Sequence, residues 1–310
     1  MKKLGLLALL VWPALAASSP AQVLCVDGAE IRVHHEDGAL SHLAAAKAWI
    51  GRAGRAVSRY YGHFPVPVMD LRLVAVPGRG VESGTQFHRR PPLVRVLVGR
   101  DTDRAGFRDD WVLVHEMVHT AFPALPRGQR WLEEGLAVYV ESIARMRDGE
   151  LSADHVWSEF LGRMPAGTPR PGDRGLDHDH RWARIYWGGA FFALVADVRI
   201  RRRTRDRLGL EDALRAILRA KEAGTRRADA RRVLQLGDEA TGTRVLIELY
   251  EQMALNPGGP DLPAFFRNLG VSTTHGGVRY DGHAPLAAER RAIEAGDVRR
   301  LKRSRGVISR

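Results

Sequence analysis

One cysteine in 310 residues, an aromatic content of 7% and no long apolar run after the first residues set the outer limits on this chain. A lone Cys25 makes no internal disulfide, so an apolar core must hold the fold, and a chain of this length can bury one. Each later apolar stretch carries Arg, Asp or Glu and falls short of the roughly 20 residues that a membrane helix needs. The opening, MKKLGLLALLVWPALAASSPA, has two lysines, an apolar run from Leu4 to Ala16 and then small residues. It reads as a secretory signal peptide over residues 1–17, cleaved near Ala16 or Ala17. A lipoprotein signal is excluded, because Leu24 rather than a small residue precedes Cys25. The expectation is an exported protein, periplasmic or secreted, with no transmembrane segment after signal removal.

Negative charge is also in deficit: 48 Lys and Arg stand against 36 Asp and Glu, a net charge of +12. Basic clusters at 199–207, 226–232 and 299–305 would suit nucleic acid or an anionic envelope surface. Export argues against nucleic acid as a partner. Arginine is also interleaved with Asp and Glu along most of the chain, the pattern of solvated helix faces.

Residues 22–105 mix a helical stretch, HLAAAKAWIGRAGRAVSRYYG, with β-like runs LRLVAVP and LVRVLVGR, which predicts a small α/β upper subdomain. Helices dominate over 106–255, at 110–121, 131–146, 186–203, 211–223 and 239–254. The stretch 147–185, containing MPAGTPRPGDRG, is the longest expected loop. From 256 to 310 a closing helix, a short hairpin around VRYD and a basic tail are expected.

The chemistry concentrates in VLVHEMVHTAFP, residues 112–123. Asp109 or Asp110 can cap a helix there, and Pro123 stops it. His115 and His119, four apart, share a face and can converge on one ion. Imidazole nitrogens suit zinc at about 2.0 Å. Glu116 points toward where an activated water would sit, the place of a general base. The next helix, WLEEGLAVYVE, carries Glu133, Glu134 and Glu141 in an apolar stretch, where a carboxylate costs several kcal/mol unless paired or bound to metal.

HExxH followed by W-x-x-E-G-x-A-x-Y-x-E resembles the gluzincin zinc metallopeptidases, in particular the catalytic domain of aminopeptidase N and the glycyl aminopeptidases. The resemblance implies that Glu134, the glutamate directly before the glycine, is the third ligand, and that Glu133 is a neighbour. IYWGGAFFALVADVRIRRRT with EDALRAIL extends the likeness over about 110–220 and aligns Tyr186 with the tyrosine that steadies the oxyanion. Two departures stand out. Only residues 120–133 separate His119 from Glu134, and no clear Gly-x-Met-Glu-Asn strand precedes the zinc helix, so aminopeptidase activity does not carry over.

His178 or His180, in the loop GLDHDH, is a rival to Tyr186 as oxyanion donor. Glu141 either orients a zinc-bound histidine or is a solvated helix residue. GTQFH, 84–88, is the best candidate for an edge strand that would pair with an extended substrate.

Together these imply an α+β, zincin-like fold and an exported Zn2+-dependent peptidase of peptide or protein substrates. Its metal ligands would be His115, His119 and Glu134. Glu116 would be the general base toward a zinc-activated water, and Tyr186 the oxyanion donor. A catalytically silent envelope protein that uses the same fold to bind peptide or peptidoglycan is the alternative.

Overall fold

The computed structural model describes residues 22–35, 40–222, 227–275 and 277–296. The leader 1–17 and the basic cluster 299–305 lie outside the described residues.

Chain order begins with strands β1 (Gln22–Val26) and β2 (Ala29–His34), then helix α1 (Leu43–Tyr61), then β3 (Val68–Val76), β4 (Val81–Phe87) and β5 (Leu93–Gly99). The five strands form one sheet in the order β1-β2-β3-β5-β4. β2, β3 and β5 run parallel, while β1 and β4 are antiparallel edges. Alternation in β3 and β5 puts Met69, Leu71, Leu73, Val94, Val96 and Val98 on the buried side. α1 closes a βαβ crossover between β2 and β3 and lays Trp49, Ile50, Ala53, Val57 and Tyr60 inward at helical spacing. Residues 84–87 of the expected edge strand GTQFH fall on β4, at the edge of the sheet, with His88 just past its end.

The short α2 (Arg104–Arg108) leads into α3 (Val112–His119), which is buried at every position. Asp110 caps α3: its carboxylate accepts from the Val112 and Leu113 amides at 2.9 and 3.1 Å. It also accepts from the Trp49 indole at 2.8 Å, which ties α3 to α1. α4 (Arg130–Asp148) follows and ends at Gly149 in the left-handed region, φ 82°.

The stretch 147–185 is not a loop. It holds α5 (Ala153–Arg163), capped by Ser152 and burying Val156, Trp157 and Phe160. Those three apolar positions are a short signal beside the Gly- and Pro-rich text that follows them, and only that later text, past a 3-10 turn at Met164–Gly167, is irregular. A π-helical turn, Arg184–Gly188, then enters α6 (Gly189–Thr204), followed by α7 (Leu210–Glu222).

The expected helix 239–254 is also corrected. The chain forms α8 (Ala230–Thr241) and α9 (Val245–Leu249), which continues as a π-turn, Tyr250–Ala254. Gly242, at φ 64°, ends α8, and Asp238 accepts from the amides of Leu246 and Ile247 at 3.0 Å each, capping α9. The close is α10 (Leu262–Leu269), the hairpin β6 (Val271–Thr274) and β7 (Gly277–Tyr280), and α11 (Ala287–Ala295). No described helix is long and apolar enough to cross a membrane.

Among the described residues, several arginines of the clusters at 199–207 and 226–232 are answered by carboxylates. Arg201 is buried and paired with Asp197 and Glu211, while Arg203 pairs with Glu248 and Arg231 with Glu251.

Candidate metal centre

α3 and α4 meet so that donor atoms converge. His115 Nε2 lies 3.1 Å from Glu134 Oε2, and His119 Nε2 lies 3.5 Å from the same oxygen. All three side chains are buried, and their ligand atoms lie within 4.8 Å of one another. Four donors placed tetrahedrally around zinc, at bonds of about 2.0–2.1 Å, are about 3.3 Å apart. The spacing and the donor set, two imidazoles and one carboxylate, therefore fit a metal ion of that kind.

Charge follows the same geometry. Burial works against ionisation of Glu134, but hydrogen bonds from His115 and His119 overcome it and hold the carboxyl far below the usual range. His115 is pushed down by its own burial. Burial also opposes charge on His119, yet Glu134 raises its pKa. The other oxygen of Glu134 is taken: Arg130, one turn earlier on α4, donates from Nε at 2.8 Å. His115 Nδ1 is buried with no hydrogen-bond partner among the described residues.

Glu116 is beside the cluster and outside the donor set. Its carboxyl lies under β4, where a Cβ on Gly84 would sit 2.5 Å from Glu116 Cγ and 2.7 Å from Val112 Cγ1. Only glycine allows the strand this close. Burial raises the Glu116 pKa; the neighbouring Glu134 raises it further, while His119 and the Gln86 backbone amide oppose the shift.

Tyr186 reaches the centre through two glycines. A Cβ on Gly135 would collide with the backbone of Gly189, and one on Gly189 with that of Gly135, so α4 and the start of α6 touch main chain to main chain. The π-turn before α6 then lays the Tyr186 ring parallel to that of His115, with centroids 6.0 Å apart and 8° between planes. π-turns of this kind recur at functional sites. Burial, reinforced by the charge of Glu134, lifts the phenol pKa well above its usual value, so Tyr186 keeps its proton and remains a donor.

Three further candidates are not at the centre. His178 and His180 are exposed, and neither side chain bonds or pairs with the cluster. In the same loop it is Asp177 that reaches the interior, accepting from the Trp131 indole at 2.6 Å and the Tyr250 hydroxyl at 2.6 Å. Glu141 is neither a solvated residue nor a partner of a ligating histidine. Two turns from Glu134, or about 10 Å along the axis, it is buried against Arg145 at 2.7 Å. Glu133 accepts from the Leu125 amide at 2.5 Å and lies 3.9 Å from His88, so it braces the connection between α3 and α4.

Sequence reasoning did not single out Arg130, Gly84 as a spacer, or the Gly135 and Gly189 contact. The Gly pair in WLEEG and YWGG was visible, but only the packing shows that the two glycines meet.

No family model and no curated protein matches the chain. Solved structures do. An aminopeptidase N family protein from Idiomarina loihiensis is similar at a TM-score of 0.61 and 14% identity, over 81% of this chain and 49% of that one. An M1 zinc metallopeptidase from Deinococcus radiodurans is similar at a TM-score of 0.51 and 15% identity, over 79% of this chain and 53% of the other. The fold is that of the M1 zinc metallopeptidases. It is α+β and zincin-like, and the chain spans about half the length of the solved structures it matches.

Proposed function

We propose that this chain is a zinc-dependent peptidase, exported to the periplasm or the medium. The observation that carries the reading is Glu116: a buried carboxylate beside three converging donors that, among the described residues, is outside the donor set and in no salt bridge. A fold kept only for binding has no use for it. The zinc metallopeptidase neighbours support the same reading, one of them a Deinococcus radiodurans enzyme bound to a Tyr-Ser-Ala substrate.

His115, His119 and Glu134 would hold the ion. Zinc bound there supplies Lewis acidity toward a substrate carbonyl and makes nearby water more acidic. Glu116 takes the proton of the attacking water and passes it to the leaving amine. Tyr186, protonated at neutral pH, donates to the carbonyl oxygen as negative charge develops on it. β4 is an edge strand of the sheet beside Glu116, along which an extended peptide adds as a further strand. Arg130 neutralises the outer oxygen of Glu134 and fixes its rotamer.

Metal analysis of the purified chain together with cleavage of a mixed peptide library tests this. One zinc per chain and cleavage that falls about two to four orders of magnitude in Glu116→Gln, with zinc retained, is the expected result. Zinc with no cleavage of any peptide leaves a binding protein in its place.

A further inference from the structure

Exposure of large aromatic side chains is exceptional in this molecule. Four of the described tryptophans, Trp49, Trp131, Trp157 and Trp187, are buried, whereas Trp111 is 46% and Trp182 59% exposed. Both exposed indoles touch the metal centre. Trp111 meets the His115 ring edge-on, with centroids 5.5 Å apart and 89° between planes. Trp182 stacks on Tyr186, with centroids 4.8 Å apart at 21°. Since Tyr186 lies parallel to His115, the rings form one continuous row, Trp111, His115, Tyr186, Trp182, with an open indole at each end.

The backbone under each indole is fixed. Trp111 sits between Asp110, which binds the Trp49 indole, and Val112, whose amide Asp110 caps. Trp182 lies between Arg181 and Arg184, both paired with Asp173 at 3.1 Å, and buried Arg184 also donates to the Gly167 carbonyl at 2.7 Å. These anchors hold the flanking polar groups in place while the indoles themselves stay exposed.

We propose that Trp111 and Trp182 are the specificity-determining walls of the cleft, and that the substrate class is peptides carrying aromatic side chains next to the cleaved bond. An indole face accepts a Phe, Tyr or Trp ring by offset stacking, and aromatic pairs of this kind contribute beyond the area they bury. The row sets one indole against His115 and the other against Tyr186, a metal ligand and the oxyanion donor of the peptidase reading, so side chains near the cleaved bond are within reach of both. This rests on the peptidase reading.

The test uses the full, zinc-loaded chain with Glu116→Gln, so that peptides persist. Matched alanine-based peptides with Phe, Leu, Ala or Asp at one position are titrated calorimetrically, and tryptophan emission is followed in the same series. Phe peptides are expected to bind about tenfold tighter than Ala peptides. In Trp111→Ala/Trp182→Ala the preference shrinks to within about twofold, with zinc content and far-ultraviolet circular dichroism unchanged. A preference that survives in the double variant, or is missing in its parent, overturns the proposal. Should the double variant not fold, the difference in emission between the parent and Trp182→Phe decides: an indole signal that does not shift on Phe-peptide binding overturns it. The chain with Glu116 intact separates the two readings. Cleavage without aromatic bias sinks only the specificity; neither binding nor cleavage of any peptide sinks the peptidase reading and the specificity with it.

Discussion

Two buried clusters of charge lie within α4 and α6 and their neighbours, and they are built on opposite plans. Around Asp197, the chain supplies its own cations: Arg201 lies 2.8 Å from Asp197 and from Glu211, Arg147 lies 3.6 Å from Glu211, and the Tyr139 hydroxyl donates to Asp197 at 2.7 Å. Burial works against ionisation of Glu211, but Arg147 and Arg201 overcome it and hold its pKa at about 2. At the other end of α4, His115, His119 and Glu134 bring their donor atoms to one point, and Arg130 pairs with the other oxygen of Glu134. The first cluster closes on itself and staples helices. The second is left complementary to a cation that is not an amino acid. A buried carboxylate is therefore informative only through what answers it.

Breaking the second cluster gives the largest effect. His119→Ala should lose zinc and activity together, because two remaining ligands hold the ion poorly against water; metal analysis after dialysis reads this. A full zinc complement in that variant refutes the assignment. Breaking the first cluster should do the reverse. Arg201→Met leaves Asp197 and Glu211 buried with one fewer cation and costs about 3–5 kcal/mol of unfolding free energy, measured by urea denaturation, while the metal-to-folded-protein ratio stays the same.

Tyr186→Phe sits between the two. The ring and its packing on His115 remain and only the donor goes, so kcat and kcat/KM should fall together by about a hundredfold with zinc content and melting temperature nearly unchanged. A normal rate there would return the role to another donor.

The smallest effect belongs to Glu141, where a single arginine answers the charge incompletely. Burial, opposed by Arg145, raises its pKa to about 7. Between the ordinary glutamate value and pH 7 the folded chain keeps a proton that the unfolded chain has released, so stability falls as pH rises through that window. Glu141→Gln should flatten this slope by on the order of 1–2 kcal/mol, seen as melting temperatures that change less from pH 5 to pH 8.

The same contrast explains what could be read from the sequence. The two histidines of α3 follow from helical periodicity, four apart on one face, whereas Glu134 is separated from Glu133 and Glu141 only by the resemblance to the gluzincin motif, in which the ligand directly precedes the glycine. Two of the three parallel strands, β3 and β5, and the helices α1, α3, α4, α6 and α7 were legible from their runs of apolar residues, while β2, whose AEIRVH alternates with charged residues, was not legible as a strand. Glu141 misled because spacing reports a helix face and not depth along it, nor that Arg145 waits one turn on. The α5 helix and the break at Gly242 were hidden by composition: three apolar residues beside a Pro-rich stretch, and one glycine inside a run that otherwise suits a helix. Arg130, Gly84 and the meeting of Gly135 with Gly189 depend on which elements pack together, and no local pattern encodes that.

The approach of β4 to Glu116 bears on how this cleft can change. Gly84 has no side chain to vary, and what steadies the carboxylate from above is the amide of Gln86, a group that every amino acid but proline supplies. The exposed positions of the strand, Thr85 and Phe87, thus take no part in holding Glu116. On the peptidase reading, replacements there would retune which peptides the edge accepts while Glu116 stays where it is, so selectivity and reactivity would be carried by separable parts of one seven-residue strand.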